Sequence, residues 1–428
     1  MLLSTVLRDA TADFLLHGYR FTERLRTQSQ DPNAPERVPL RMLGGDALLV
    51  RGARGVRLFY DDAAIKRDGA MPEIVSGGLF GEGSVHGLDD EAHLARKAMF
   101  VRAAMDRDAV ASLLEDSHDE WDRHIEQVWT RGRSGSVYDA AVGVYGRSIL
   151  RWAGVRASRR TADRIARHEA EIVDGFAVLG PAYALGKWRR RSCDRWFTDQ
   201  VRKARAGEIA PRPGSAFDLV LQHVDADGQP LSDQLAAVEL QNVIRPTIAV
   251  ARFAAFLALA MHEHPRWRER IFDEVRERGS TTNGPLAIAF AEEVRRYYPF
   301  VPLLPGVARK PLTFDGAHVA EGERVLLDIY GTNRDERYWT DARTFDPERF
   351  LDTGEVFSEH FIPQGGGVPE TGHRCPGEII TVGLLAQTAA ELSQLDAFLQ
   401  GGQKLSFRTG RMPTMPASGV GFSRASRR

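Results

Sequence analysis

The stretch that decides the fold is Phe361–Glu378, which reads FIPQGGGVPETGHRCPGE and contains Cys375, one of two cysteines in the chain. A lone cysteine is most often a small buried apolar residue. Here the preceding glycines let the backbone fold tightly, and Pro376 suits the first turn of a helix. The apolar run Ile379–Leu385 then continues that helix. The pattern predicts Cys375 at a helix N-terminus, where unpaired N–H groups stabilise a thiolate.

Composition excludes several classes of protein. The 428 residues are 43% hydrophobic and 27% charged, which is typical of a globular chain. The 57 basic and 58 acidic residues leave a net charge of −1, which argues against a nucleic-acid or membrane-surface protein. With no composition break, we expect a single domain over residues 1–428.

The chain gives little sign of secretion or membrane insertion. Cys193 and Cys375 are too few for a disulfide framework, so a reducing cytoplasm is the default location. The apolar start is interrupted at Arg8 and Asp9, well short of the ~20 residues needed to span a bilayer. It also lacks a cleavable leader pattern. We expect a cytoplasmic protein without stable membrane insertion.

Hydrophobic periodicity predicts a mainly helical chain with small sheets. Short strands are expected at 39–43, 47–51 and 56–60, and mostly helix between 90 and 275. A hairpin-like stretch follows at 311–328. The last helix is expected from about Pro376 to about Leu399.

One predicted helix is unusually long. Ser232 is a good N-cap, and the apolar period continues from Asp233 to about His262. We expect this helix to cross the whole domain. Pro246 lies in its middle, where it deletes a backbone donor and should kink or loosen one turn.

The run Gly-His-Arg-Cys-Pro-Gly around Cys375 resembles the haem-binding loop of the cytochrome P-450 superfamily. Glu293 and Arg296 match the family's Glu-x-x-Arg motif, and Asp-Pro-Glu-Arg-Phe at 346–350 resembles the segment that supplies a second arginine. Each motif alone is weak, since a Glu and an Arg three residues apart are a common helix pair. All three in family order are a specific signal. The resemblance implies the cytochrome P-450 fold, with a long central helix over the haem and small β-sheets.

The same resemblance implies a structural ion cluster. Glu293, Arg296 and Arg349 would form it, because a buried carboxylate can be satisfied by bidentate bonds from guanidinium groups. Glu292 and Arg295 have the same spacing and match the motif equally well.

The resemblance also implies haem b as the cofactor. Cys375 would be the axial thiolate ligand of the iron, and Gly377 leaves room for a flat macrocycle against the backbone. His373 would contact a haem propionate. The candidates for further propionate contacts, with ordinary surface charge as the alternative, are Lys66, Arg67, His93 and Lys97.

Two departures from the family pattern bear on function. The loop between Phe361 and Cys375 is longer than the family norm, through the insertion 363–367 on the side where electron-donor proteins dock. The long helix carries Arg245 and Pro246 where other members have an acid before an alcohol, the pair that relays protons to bound dioxygen. Both departures argue against an obligatory redox partner.

Arg245 requires an explanation because its neighbours in the helix are apolar. An unpaired buried charge costs several kcal/mol, so an anion should pair with it. A protein carboxylate or exposure at the helix kink would satisfy it. If the anion is a ligand, a carboxylate fits the guanidinium fork best.

With these departures the chain resembles a narrower group, the bacterial fatty-acid peroxygenases of the superfamily. The resemblance implies that Arg245, beside Pro246, binds the fatty-acid carboxylate near the haem and that hydrogen peroxide is the co-substrate. The substrate carboxylate then serves as the general acid–base that the helix lacks. Cα and Cβ are held closest to the iron, so hydroxylation there or oxidative decarboxylation to terminal alkenes is expected.

Four further residues are candidates for the substrate pocket. By resemblance Phe80 and His86 fall at pocket positions, and a histidine at the second of these is associated with decarboxylation. Leu303 and Leu304 follow the Glu-x-x-Arg helix and are possible substrate contacts, with ordinary core packing as the alternative.

Two other functions remain open from the sequence. One is a reductase-dependent cytochrome P-450 monooxygenase, which turnover by peroxide alone would distinguish. The other is a haem-binding sensor without turnover, although nothing in the chain resembles an output domain.

Overall fold

Helices dominate the computed structural model, which describes residues 9–29, 36–176, 178, 180–351 and 358–428. The predicted apolar start, up to Arg8, lies outside the described residues. The helices are α1 Thr11–His17, α2 Arg20–Ser29, α3 Gly52–Phe59, α4 Glu73–Leu79, α5 Asp90–Ala104, α6 Arg107–His124, α7 Val137–Trp152, α8 Arg159–Asp174, α9 Pro181–Arg205, α10 Ala216–Gln222, α11 Asp233–Ala249, α12 Ala251–Glu263, α13 Pro265–Arg278, α14 Pro285–Tyr297, α15 Ile329–Thr332 and α16 Glu378–Ser393. The mainly helical class predicted from the sequence is confirmed.

Ten short strands form three sheets among the described residues. They are β1 Arg37–Met42, β2 Gly45–Val50, β3 Ile65–Lys66, β4 Gly135–Ser136, β5 Leu303–Ala308, β6 Leu312–Phe314, β7 Ala317–Val319, β8 Arg324–Asp328, β9 Leu395–Leu399 and β10 Gly421–Arg427. The largest sheet has the order β1-β2-β8-β5-β3, in which only β2 and β8 are parallel. The other sheets are β4-β10-β9 and β6-β7.

The first two predicted strands are present, but the third, at 56–60, is wrong. That segment belongs to helix α3, which buries Val56 and Phe59 on one face while Leu58 is only partly buried. The apolar residues of this short run fit both the two-residue period of a strand and the 3.6-residue period of a helix. In the folded protein Val56 and Phe59 pack in one apolar cluster with Val50 of β2, which favours the helix.

The predicted hairpin at 311–328 and the predicted last helix both extend less far than expected. In the stretch 311–328, β6 pairs with β7 across a turn at Asp315 and Gly316, but β8 leaves to pair with β2 and β5. The last helix ends at Ser393 instead of about Leu399. Residues Leu395–Leu399 form β9, because the C-terminal strand β10 offers them a pairing edge.

The predicted long helix is present as α11 and α12, which are separated at Val250, four residues after Pro246. Pro246 itself lies inside α11, and the backbone hydrogen bond that it cannot make is the one to the Asn242 carbonyl, in the turn before the proline. The joint span 233–263 is long and apolar enough to cross a bilayer, but 89% of its most apolar window is buried inside the protein. It is therefore the core helix. The largest apolar cluster surrounds it and includes Phe256 and Leu384, both fully buried.

Candidate active site

The inserted loop holds Cys375 directly. The Cys375 backbone N–H donates to the Gln364 carbonyl at 3.2 Å, and Gln364 Nε2 lies 3.7 Å from Cys375 Sγ. The same amide donates to Thr381 Oγ1 at 3.0 Å, which ties the insertion to α16. Sequence reasoning singled out the insertion but missed this support, because a loop length does not reveal what the loop contacts.

The three consecutive glycines of the insertion are explained by Tyr60. Gly365 and Gly367 have φ of 100° and 76°, a region that favours glycine. A Cβ on Gly366 would lie 2.7 Å from Val56 Cγ1 and 3.1 Å from the Tyr60 ring. The chain can pass this closely only without side chains.

Burial dominates the chemistry of the free thiol. It raises the pKa of Cys375, with the Glu378 charge adding to it, while the Gly377 N–H and the Lys97 charge lower it. The predicted lowering of the Cys375 pKa by the helix N-terminus is thus present, but the effect of burial is larger. A metal cation reverses this balance, since a coordinated thiol is deprotonated outright. A Cβ at Gly377 would lie 3.8 Å from the sulfur, so the glycine keeps that side open.

Basic side chains collect beside the thiol. The rings of His93 and His373 stack at 3.8 Å, and Lys97 Nζ donates to the Arg374 carbonyl at 2.5 Å. Burial, followed by neighbouring positive charge, lowers the pKa of His93 to about 4 and that of His373 to about 2. Both imidazoles are therefore neutral at pH 7.

Arg67 adds the observation that best tests whether haem fits. Its Nη1 is buried and has no hydrogen-bond partner among the described residues, while its backbone N–H donates to Asp89. The charge of Arg67 acts on His373. An unsatisfied buried guanidinium nitrogen there suits an anionic group such as a propionate. Lys66 does not join this cluster: its Nζ pairs with Asp68 at 3.3 Å and its side chain is a third exposed.

Arg245 is buried on α11, as the sequence predicted, and its side chain is 3% exposed. Its Nη1 lies 3.4 Å from Glu169 Oε2, and its Nη2 donates to Asn242 Oδ1. A protein carboxylate therefore supplies a counter-ion, which is one of the alternatives that the sequence left open. Burial, followed by the charge of Arg190, lowers the pKa of Arg245 to about 10, so the guanidinium remains charged at pH 7.

Sequence reasoning missed Glu169. It is fully buried on α8, and burial raises the pKa of its carboxyl against the opposing charges of Arg245 and Arg190. A signal was available, because Glu169 interrupts the apolar stripe of an amphipathic helix that includes Ile165 and Ile172. The contact to Arg245 is a single, long one, unlike a bidentate pair.

Phe80 and His86 lie together, with ring centroids 4.0 Å apart and planes 21° from parallel. The side chain of His86 is exposed, yet desolvation by the surrounding protein atoms, followed by the charges of Arg245 and Lys97, lowers its pKa below the ordinary value. The structure thus brings His86 within electrostatic reach of Arg245 on one side and of the basic cluster on the other. At pH 7 His86 is therefore a neutral imidazole, which can donate a hydrogen bond without carrying charge.

Leu303 and Leu304 are both half-buried on β5 but face opposite sides of the sheet. Leu303 packs against a cluster with Leu49 and Leu326, and Leu304 packs against one with Phe59. Only one of the two leucines can therefore line a pocket on a given face.

The predicted ion cluster forms around Glu293. Arg296 donates to both of its carboxylate oxygens at 2.6 and 2.7 Å, and all these groups are fully buried. The Asp346 N–H donates to Glu293 Oε1 at 2.7 Å. Arg349 Nε lies farther away, 3.8 Å from Glu293, and its Nη2 donates to the Asp341 carbonyl at 3.1 Å.

A second buried ion cluster stands beside the first. Arg295 donates to Glu292 and to Glu378, and Arg374 Nε donates to Glu378 at 2.7 Å. Both Glu-x-x-Arg pairs that the sequence offered, Glu292 with Arg295 and Glu293 with Arg296, are therefore ion pairs in the structure. This cluster connects α14 to the start of α16 and fixes the residues on either side of Cys375.

Comparisons with known proteins agree with this architecture. The family described as "Cytochrome P450" matches residues 218–382. Among curated proteins, human cytochrome P450 4A22 is 29% identical over 209 residues, an alignment that spans 43% of this chain and 40% of that relative. The chain therefore matches less than half the length of such relatives.

Solved structures match along the whole chain. "Structure of cytochrome P450 OleT, ligand-free" superposes with a TM-score of 0.90 at 31% identity, covering 98% of this chain and 97% of that one. "Cytochrome P450EX alpha (CYP152N1) wild-type with myristic acid" gives 0.89 and 31%, covering 98% of both chains. "Cytochrome P450SP alpha (CYP152B1) in complex with (R)-ibuprophen" gives 0.89 and 33%, covering 98% and 99%.

The fold and the half-buried thiol of Cys375 beside a basic cluster define a haem-thiolate enzyme. The chain belongs to the cytochrome P450 family, whose members carry a thiolate-ligated haem. The resemblance to the fatty-acid peroxygenase group predicted from the loop and from Arg245 is confirmed, because the matching structures are CYP152 proteins.

Proposed function

We propose that this enzyme uses hydrogen peroxide to oxidise fatty acids at Cα or Cβ, by hydroxylation, by oxidative decarboxylation to terminal alkenes, or by both. The observation that carries the proposal is Arg245, a charged guanidinium buried in the middle of the core helix, whose charge acts on His86. The CYP152 neighbours support it, since one is titled with myristic acid and another with arachidonic acid.

Cys375 would hold the haem, whose iron supplies the site where peroxide reacts. Gln364 orients the cysteine loop through the 3.2 Å bond to its backbone and the contact to sulfur. Arg67, Lys97 and His373 would hold the propionates, since they form the buried basic cluster beside the thiol.

Arg245 binds and orients the substrate carboxylate through its planar fork. Pro246 has no N–H to donate to the Asn242 carbonyl, so the turn of α11 that precedes it has one backbone hydrogen bond fewer. The bound carboxylate is placed to carry protons at its oxygens, in the role that an acid–alcohol pair has in ordinary members. His86, neutral at pH 7, offers an N–H to the same region.

The anchor sets the position of attack. A carboxylate fixed by Arg245 holds the first carbons of the chain in the reactive zone and the far end away from it. Fixing a substrate at one end in this way is positioning by a clamp, which favours Cα and Cβ over the terminus.

Reductase-dependent monooxygenation is the second candidate, and Glu169 is the observation that favours it. The core helix has Pro246 and no acid immediately before Thr247, but Glu169 supplies a buried carboxylate from α8 beside Arg245. Against it stands the insertion at 363–367 on the cysteine side, where a donor protein would dock. A sensor without turnover has no such supporting feature.

Replacing Arg245 tests the proposal. Arg245→Ala should keep its haem, because the hydrogen-bond partners of Arg245 among the described residues are Glu169 and Asn242, away from the cysteine loop. It should lose at least 100-fold in fatty-acid turnover (about 2.7 kcal/mol). Arg102→Ala, an exposed arginine on α5, is the matched control and should stay unchanged. Near-normal turnover by Arg245→Ala with haem in place would reject the anchoring role.

The remaining predictions about the chain's setting follow from its composition. We propose a single domain over residues 1–428, a cytoplasmic location, no nucleic-acid partner and no stable insertion in a membrane. We also propose that no obligatory redox partner is needed.

A further inference from the structure

Arginines line a cleft far from the Cys375 loop in sequence and built from other elements. The cleft, about 740 Å³ in volume, lies between α6, α7, the start of α8 and the segment 210–213. Small apolar groups such as Ala157 and Pro211 complete its walls. Its charged lining consists of Glu120, Arg123, Arg147, Arg151, Arg156, Arg159 and Arg212.

Glu120 is the one acid among the described residues of that lining, and its carboxylate oxygens already have arginine partners. It is fully buried, accepts hydrogen bonds from Arg123, Arg147 and Arg151, and forms an ion pair with Arg159 at 3.0 Å. A carboxylate offers about four acceptor positions, so no further arginine can be satisfied by it. Burial alone would raise the pKa of Glu120, but the arginines, led by Arg147, lower it below its ordinary value.

Positive charge exceeds negative charge in the cleft. Asp116, Asp119 and Asp163 at its edge pair with three of the arginines that already share Glu120. Arg156 and Arg212 are exposed and have no acidic partner among the described residues; Arg212 donates only to a backbone carbonyl, at 2.8 Å. The lining therefore carries two cations that the fold does not neutralise.

The start of α8 places some of this charge against the usual preference. Arg159 and Arg160 occupy its first turn, which contains no acidic residue, although helix N-termini favour anions. Ser158 already caps the helix through Thr161, so the arginines serve no capping role. Burial, followed by the charges of Arg147 and Arg159, also lowers the pKa of nearby His124, to about 4.

We propose that this cleft binds a small anion carrying two or more phosphate groups. Guanidinium forks match phosphate oxygens in bidentate geometry, and two phosphates supply the negative charge that the lining lacks. A concave space of this volume suits a small molecule. A fatty acid, with a single carboxylate, would leave part of the positive charge unmatched. The cleft also shares no lining residue with the proposed catalytic site.

Calorimetric titration of the haem-loaded full chain with pyrophosphate tests the site. We expect saturable one-to-one binding that weakens as ionic strength rises, because the cleft is open to solvent. The variant Arg156→Gln/Arg212→Gln should bind at least tenfold more weakly, and its second glutamine keeps an N–H donor for the carbonyl that Arg212 contacts. The control Arg266→Gln/Arg278→Gln removes two exposed arginines of α13, outside the cleft, and should bind as the parent does.

Three results would overturn the proposal. They are no measurable binding at millimolar pyrophosphate, equal affinity in the cleft and control variants, and binding of an acidic peptide or an oligonucleotide but not of pyrophosphate. If the double variant fails to fold, Arg156→Gln alone decides, since this side chain is exposed and its loss should still weaken binding severalfold. The readout is binding, so it stands or falls independently of peroxide-driven turnover.

Discussion

Glu169→Gln should tighten fatty-acid binding, because it removes the anion that competes with the substrate for Arg245. The two charges lie 3.4 Å apart in a fully buried setting. At an effective dielectric constant of about 20 their attraction is ~5 kcal/mol, which is an upper limit. Arg190 shares the Glu169 charge and Asn242 accepts from Arg245, so we take about 1.4 kcal/mol as the part released, or a tenfold change in affinity.

The same change should lower the stability of the substrate-free protein, since Arg245 is left buried without a counter-ion. Saturating myristic acid should then raise the melting temperature of Glu169→Gln more than that of the parent. The substrate carboxylate takes the place of the lost one, and binding to the folded state alone stabilises it.

Optical titration of the haem spectrum with a fatty acid measures the dissociation constant. Glu171→Gln is the matched control, since Glu171 lies on the same helix but is partly exposed and pairs with Arg189. The control should bind fatty acid as the parent does. An unchanged or weaker affinity in Glu169→Gln would refute the competition and leave Glu169 as a residue that only orients Arg245.

Three shorter predictions follow. His86→Gln should lower the alkene fraction without weakening fatty-acid binding. An unchanged product ratio by mass spectrometry would show that His86 does not control the ratio of alkene to hydroxylated acid. Glu293→Gln should cost about 3–5 kcal/mol of unfolding free energy in urea, because Arg296 keeps a buried charge without its partner; Glu277→Gln, exposed on α13, should cost little. The Glu391 hydrogen bond raises the pKa of His118, so its stabilisation is complete below the unfolded pKa of about 6.5 and fades as pH rises through the folded value. His118→Gln should therefore destabilise the protein more at pH 5.5 than at pH 9, and an equal loss at both would contradict the charge pairing.

Local patterns were enough to predict the helical class, the long core helix and the position of Cys375 before α16. Each of these depends on residues that are close in sequence, such as Ser232, which caps α11. The segment 56–60 was predicted wrongly because a run of five apolar-rich residues fits two periods. Only packing against the sheet decides between them.

The missed features are contacts between distant residues of the chain. Gln364 supports Cys375 across the loop, and Glu169 reaches Arg245 from another helix. Neither contact follows from spacing, since side chains 76 residues apart meet only when α8 packs on α11. A charged residue within an apolar helix stripe was the one usable signal, and it marked a buried partner without identifying it.

Incubation of the purified, haem-loaded protein with hydrogen peroxide and saturated fatty acids, without reductase or nicotinamide donor, tests the central claim most directly. Mass spectrometry should show products oxidised at Cα or Cβ, or terminal alkenes one carbon shorter, and Arg245→Ala should form almost none. No product with peroxide, together with turnover once a reductase and a nicotinamide donor are supplied, would contradict a peroxide-driven enzyme and favour the monooxygenase.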